Sequence, residues 1–174
     1  MKLARIAIAV IAALLLQVLL ARYLGLRYLD LVLVVVVYSC FARDPVRAMF
    51  IGAAGGLIQD SFSGGLMGST SFTKTVVAFL IGALSIRIAL DKLFPRLIVM
   101  AAASLLSGLI YVGIHRLFGI DLVGFPVLPQ LLKHLAWQIL ANVFAAAIFF
   151  RVLDLLSVEG ERRDHGRIPR RSVV

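Results

Sequence analysis

The chain of 174 residues is 61% hydrophobic and 16% charged, and its formal net charge at pH 7 is +9. A soluble domain of this length needs many more polar residues to cover its surface, so the composition excludes an ordinary water-soluble protein. The Lys and Arg residues stand in short clusters between apolar runs, which is typical of a membrane protein and explains the positive charge without a nucleic-acid partner. One cysteine, Cys40, lies inside an apolar run, so no disulfide framework and no cysteine-based metal site are expected.

The apolar runs predict membrane-spanning helices, because about 20 apolar residues cross the roughly 30 Å of a bilayer's hydrocarbon core. In chain order they are Leu3–Leu20, Leu24–Ala42, Val46–Gln59, Phe72–Ile88, Leu97–Leu117 and Leu131–Leu153. The basic start resembles a signal peptide, but no small-x-small cleavage site ends the run before Arg22, so we interpret it as a retained first helix. The third run is short and rich in glycine, so the number of crossings is six if it spans and five if it turns back.

The connections contain the residues that end helices. Arg43-Asp44-Pro45 predicts a tight turn with Asp44 as the N-cap and Pro45 as the first residue of the next helix. The predicted fold is an all-α polytopic membrane domain over residues 1–156. A basic cytoplasmic tail over residues 157–174 follows, and it is expected to be disordered because it is short of apolar residues.

The distribution of positive charge predicts the orientation. With six crossings and the N-terminus inside, thirteen of the eighteen Lys and Arg residues fall on the inner side and four on the outer side, with Lys74 unassigned. Both termini are therefore expected on the inner, cytoplasmic side of the membrane. The basic tail would favour anionic lipid headgroups.

The most distinctive segment runs from Gly52 to Gly68. Gly52 and Gly56 are four residues apart on one helical face, as are Gly64 and Gly68 if that part is helical. Small residues at this spacing let two helices approach closely in lipid. The partner is either another helix of the same chain, which we favour, or a second protein.

Single acidic residues mark two further positions. A carboxylate in or near the membrane is costly, so Asp60 is a functional candidate. Its structural alternative is an interfacial group that reaches water or caps a turn, with Lys74 as a counter-charge. Asp30 precedes the apolar Leu31–Val37 run and is expected at the interface. Gln138 and Asn142, four apart on the last helix, are expected to bridge to another helix.

No catalytic motif is present in the sequence. It contains no Walker lysine loop, no H-E-x-x-H and no G-x-S-x-G, and the apolar runs lack the series of acids and bases typical of a proton relay. His115 and His134 have no carboxylate or cysteine partners in the pattern and give only a weak metal signal. We therefore expect no enzyme, no cofactor and no bound metal.

The glycine-rich segment resembles the bacterial rod shape-determining protein MreD family. The shared features are the length, five or six spans and a G-x-x-x-G-L-x-x-D pattern with a later glycine. The matching residues are Gly52, Gly56, Leu57, Asp60 and Gly68. The family also tends to have an acidic residue opening its second helix, and Asp30 fits that place, although Leu29 stands where proline is common. The resemblance covers roughly residues 1–155.

This resemblance implies a non-catalytic subunit of the cell-elongation machinery, located in the bacterial inner (cytoplasmic) membrane. Its direct partner would be MreC, held through the single membrane helix of that protein. Indirect partners would be MreB, a RodA-type glycosyltransferase and a class B penicillin-binding transpeptidase. The subunit would thereby modulate peptidoglycan synthesis. The glycine face of the third helix and the Leu31–Val37 stripe are the surfaces that the sequence offers for such packing.

The alternative is the substrate-binding component of an energy-coupling-factor vitamin transporter. Those S-components are also small, basic six-helix proteins, and the MreD family resembles them in architecture. A transporter needs convergent polar or aromatic side chains in an outer cavity. The side chains available for such a lining are Tyr111, His115, Trp137, Gln138 and Asn142.

Overall fold

The computed structural model describes residues 3–24, 29–63, 66–88, 92–119 and 128–165, and over these ranges the chain is helical. The helices are α1 (Leu3–Leu24), α2 (Leu31–Cys40), α3 (Pro45–Ser63), α4 (Ser69–Arg87), α5 (Leu93–Leu117) and α6 (Leu128–His165). An all-α fold is thus confirmed for the described part of the chain. The predictions for Gly64 and for the last nine residues of the tail lie outside the described residues.

Within the described residues, three helices are long and apolar enough to cross a membrane, namely Ser69–Arg87, Leu93–Leu117 and Pro129–Val152 within α4, α5 and α6. Shorter apolar helical stretches are Ile8–Leu20 and Leu31–Cys40. The chain is therefore a membrane protein. At 1.5 Å per residue, α2 is only about 15 Å long, which is half of the hydrocarbon core.

The boundaries of α2 and α3 differ from the predicted ones. Asp30 caps α2, so the helix starts seven residues later than the predicted Leu24. α3 has 19 residues rather than the predicted 14, because the helix continues through Asp60 to Ser63. Its start is confirmed: Pro45 is the first helical residue, and the Asp44 carboxylate accepts the Arg47 backbone N–H at 3.0 Å.

α2 forms the centre of the bundle. It contacts each of the other five helices, and nine of its ten residues are buried. The side chains from Leu31 to Val37 are at most 3% exposed. Such all-round burial agrees with a helix that is apolar on every face. α1 packs mainly on α2, α3 lies against α4, and α5 lies against both α4 and α6.

α6 is the longest helix, with 38 residues. At 1.5 Å per residue it extends about 57 Å, which exceeds the hydrocarbon thickness. Its apolar part ends at Val152, and the helical backbone continues nine residues beyond Leu156, to His165.

Candidate functional site

The charged centre of the bundle is a salt bridge between Lys74 of α4 and Asp30 at the start of α2. The side chain of Lys74 is 1% exposed and that of Asp30 is 15% exposed. Burying an ammonium group this deeply is costly unless it is paired, and Asp30 provides the opposite charge. Lys74 therefore pairs with Asp30, and the expectation that it neutralises Asp60 is wrong.

The pair lies one helix length from the turn that follows α2. At 1.5 Å per residue, the ten residues of α2 separate Asp30 from the turn with the charged residues Arg43 and Asp44 by about 15 Å. Asp30 is bonded to Lys74 inside the bundle, and its expected position at the membrane interface stays a prediction.

Asp30 has three separate contacts. One carboxylate oxygen accepts from Lys74, and the other accepts the Leu33 backbone N–H at 3.0 Å and so caps α2. Its backbone N–H donates to Oδ1 of Asn142 on α6 at 2.8 Å. The acid therefore neutralises a cation, starts a helix and attaches that start to another helix.

Asn142 extends these contacts to α5. Its Nδ2 donates to Oγ of Ser104 at 2.8 Å, and both side chains are fully buried. The prediction that Asn142 bridges two helices is confirmed. Asp30, Lys74, Ser104 and Asn142, which we call the buried polar centre, thus join α2, α4, α5 and α6. Gln17 adds α1, because its Oε1 accepts the Val32 N–H at 3.4 Å.

A second carboxylate fixes the start of α4. Asp60 is 5% exposed, and its oxygens accept three backbone N–H groups, from Gly68 at 2.9 Å, Thr70 at 3.2 Å and Ser71 at 3.1 Å. The first N–H groups of a helix have no partner within the helix and carry partial positive charge, so a buried carboxylate is stabilised there. Asp60 therefore caps the next helix from inside the protein and is not a water-exposed interfacial group.

The two glycines of the third helix face α4. A Cβ on Gly52 would lie 2.6 Å from the carbonyl oxygen of Lys74, and a Cβ on Gly56 would lie 2.7 Å from the backbone nitrogen of Ser71. Ser71 Oγ also donates to the Ala53 carbonyl at 2.9 Å. The α3 and α4 backbones thus approach more closely at these positions than any side chain would allow.

The remaining candidates lie elsewhere. Gly68 precedes α4 with φ of +93°, a conformation that suits glycine. The Leu57 side chain is 49% exposed on α3. Asp60, Gly68 and the two helix glycines therefore meet at one α3–α4 joint, while Asp30 belongs to the buried polar centre and Leu57 faces outward.

The residues proposed for a transporter cavity do not converge on one pocket. Asn142 is bonded within the buried polar centre, whereas Trp137 is 55% exposed on a groove between α1 and α6. His115 stacks on Tyr111 with ring centroids 4.2 Å apart, and its Nδ1 lies 2.9 Å from the Tyr111 carbonyl oxygen.

Sequence reasoning missed the Asp30–Lys74 pair and Ser104. The signal for the pair was present, since a single lysine within an apolar helix requires an acid, and Asp30 was the second acid within an apolar region. Ser104 gave no signal, because serine is common in membrane helices. Over the described residues, no three His, Cys, Asp or Glu side chains lie close enough together to hold a metal ion.

These features define an α-helical membrane protein whose buried charges bond to one another and to helix ends. The family model described as rod shape-determining protein MreD matches residues 3–157, and the chain belongs to this family. The resemblance inferred from the glycine-rich segment is thereby confirmed. Neither the curated proteins nor the solved structures include a match to this chain.

Proposed function

We propose that this protein is a non-catalytic membrane subunit of the bacterial elongation machinery that binds MreC and modulates the wall synthase complex. Membership in a family that determines rod shape supports the pathway. The observation that carries the non-catalytic role is the buried polar centre. Lys74 and Asp30 bond to each other, and Asn142 bonds to both α2 and α5, so these groups hold helices together.

The proposed topology has six crossings in the inner membrane, with both termini in the cytoplasm and an arrangement similar to energy-coupling-factor S-components. Three long apolar helices and the inner-side excess of Lys and Arg support this topology. Residues 1–156 would form the membrane domain, and residues 157–174 would form a separate cytoplasmic segment. Cysteine accessibility at positions in the turn 41–44 and in the loop 120–127 tests the two predicted sides.

The surface for MreC must lie outside the internal contacts. The glycine face of α3 is covered by α4, and the Leu31–Val37 stripe is buried within the bundle. Gly52, Gly56, Asp60, Gly68 and Asp30 would therefore act through the internal packing that shapes the protein. Leu57, half exposed beside this joint, would contact the single membrane helix of MreC directly.

Affinity purification in a mild detergent tests the proposal. The full-length protein is tagged in its native host, and co-purifying proteins are identified and quantified by mass spectrometry. We expect MreC, with MreB, the RodA-type glycosyltransferase and the class B transpeptidase recovered through it. Leu57→Ala should lower the MreC yield, whereas Leu109→Ala should leave it unchanged. Leu109 is a suitable control because it is 50% exposed on α5, against 49% for Leu57.

Two results would contradict parts of this reading. Equal MreC yields from the Leu57 and Leu109 variants would exclude Leu57 from the interface but leave MreC binding intact. Recovery of paired ABC-type ATPases and a coupling membrane subunit, without MreC, would overturn the scaffold role in favour of a vitamin importer.

A further inference from the structure

Two open grooves lie on the sides of α1, because α1 packs mainly on α2. The first, of about 720 Å³, runs between α1 and α3. The second, of about 650 Å³, runs between α1 and α6. Both open toward the surroundings of the bundle, but they differ in charge, and this difference indicates what the first groove binds.

The α1–α3 groove has apolar walls and a charged end. Its lining consists of Val10, Ile11, Val46, Phe50, Ile51, Ala54, Gly55 and Ile58, together with Asp44 and Arg47. Asp44 caps α3 and Arg47 belongs to its first turn, so both charged residues lie at one end of the groove. Small residues form its inner part: the backbone of Gly55 lies against Val10 of α1 and Val32 of α2.

This groove is longer than one leaflet but shorter than a full membrane span. From Asp44 to Ile58 α3 rises about 21 Å at 1.5 Å per residue, whereas a spanning partner helix needs about 30 Å and one leaflet provides about 15 Å. An apolar chain that begins at the charged turn would therefore be covered along its whole depth. A partner helix would leave the groove and lie against lipid for the rest of its length.

We propose that the α1–α3 groove is a binding site for an anionic phospholipid, with an acyl chain between the two helices and the phosphate at Arg47. The half-buried guanidinium of Arg47 has contacts within the protein, and its five N–H donors can serve a phosphate as well. The Asp44 carboxylate is directed to the Arg47 backbone N–H, at 3.0 Å, as the N-cap of α3. On the proposed topology this end faces the cytoplasmic leaflet, where anionic lipids are concentrated.

The α1–α6 groove provides a comparison within the same molecule. Its lining residues are all apolar, including Trp137, Phe144 and Leu16, and no charged side chain is among them. A lipid in that groove would be held by its chain alone and would not be selected by its headgroup. We therefore expect the α1–α3 groove, with Arg47, to select lipids by their headgroup and the α1–α6 groove to bind them without headgroup selection.

Native mass spectrometry of the delipidated full-length protein tests the proposal, with dioleoyl phosphatidylglycerol and dioleoyl phosphatidylethanolamine as probes. Arg47→Gln should lower the affinity for phosphatidylglycerol about five-fold, the loss typical of one basic residue near a membrane surface, and leave that for phosphatidylethanolamine unchanged. Arg87→Gln is the control, because it removes the same charge from an exposed position at the end of α4. Arg87→Gln should change either affinity less than two-fold.

A second pair of variants tests the groove independently of charge. Ala54→Leu fills it from an exposed position and should lower binding of both lipids, whereas Ala102→Leu, on an exposed position of α5, should not. Equal effects of the two arginine variants would show general electrostatic attraction and overturn the site. Unchanged lipid binding in Ala54→Leu would also overturn the site. If the same variant no longer recovered MreC in the affinity purification, the groove would hold a partner helix instead. Neither lipid result depends on MreC binding, so the site and the proposed function can fail separately.

Discussion

The contact at Gly56 supports a quantitative prediction about how α3 and α4 are held together. A Cβ placed on Gly56 would lie 2.7 Å from the Ser71 backbone nitrogen and 2.9 Å from the Thr70 carbonyl oxygen, and closer still to the Ser71 Cα. Ordinary contacts of a Cβ begin at 3.4 Å. Gly56→Ala therefore requires the start of α4 to move by at least about 0.7 Å, the difference between 3.4 and 2.7 Å. All three atoms belong to the backbone, so no side-chain rotation can relieve the overlap.

The same movement disturbs the Asp60 cap. Asp60 accepts the N–H groups of Thr70 and Ser71, at 3.2 and 3.1 Å, which are the residues that the new methyl group would displace. Overpacking typically costs about 1–3 kcal/mol. Hydrogen bonds to a charged group contribute about 1.5–3 kcal/mol. With partial loss of the cap, we expect Gly56→Ala to lower the free energy of unfolding by about 2–5 kcal/mol.

The measurement is unfolding of the purified protein in mixed micelles with increasing SDS, followed by the fluorescence of Trp137, the single tryptophan. Gly113→Ala is the matched control, since a Cβ there has no atom within 4 Å. Alanine is preferred over glycine in a helix, so this control should be neutral or more stable by up to about 1 kcal/mol. Gly108→Ala should fall between the two, because its Cβ would meet the flexible end of Leu135 and not a backbone. Equal unfolding midpoints for the Gly56 and Gly113 variants would refute the close approach.

The same unfolding assay tests three further predictions. Lys74→Met should lower the free energy of unfolding by about 3–5 kcal/mol, because it leaves the Asp30 carboxylate buried without its cation. Adding Asp30→Asn should restore part of that stability, and additive losses from the two substitutions would contradict the salt bridge. Asn142→Leu should lower the free energy of unfolding by about 1–3 kcal/mol, since it leaves Ser104 Oγ without its donor and the Asp30 N–H without its acceptor, and a neutral result would exclude the bridge. Gln59→Met should be neutral or stabilising by up to about 1 kcal/mol, because the Gln59 Oε1 is buried without a hydrogen-bond partner, and a clear loss of stability would show that it has one.

The apolar segments were predictable because hydrophobicity over a long window reports directly on burial in lipid. The runs that became α4, α5 and α6 were placed correctly in chain order. The ends of α4 and α5 differ from the predicted ones by at most four residues, whereas α6 continues twelve residues beyond the predicted Leu153, to His165. The start of α3 was also predictable, since Asp44 and Pro45 have well-defined preferences at the beginning of a helix. The tight contact at Gly52 and Gly56 has a sequence signal as well, the four-residue spacing of small residues.

The partners of the charged residues could not be derived from local patterns. Asp30 and Lys74 are 44 residues apart, and the sequence offered Lys74 an apparently closer partner in Asp60. The partner of Lys74 depends on where α2 begins, because this start places Asp30 beside Lys74. Asp60 instead accepts three backbone N–H groups at the start of α4, and no pattern of side chains in the sequence indicates these hydrogen bonds.

The buried polar centre also explains why a ten-residue helix can lie in the middle of this bundle. Between helices in lipid the hydrophobic effect gives little association energy, so close packing and hydrogen bonds must hold α2. A helix that begins inside the bundle has first N–H groups without partners in the helix, and leaving such a group buried and unpaired is costly. Asp30 satisfies one of these groups, Gln17 accepts another, and Asn142 binds the residue before them. Lys74 balances the charge that this cap introduces, so the salt bridge follows from starting α2 inside the bundle.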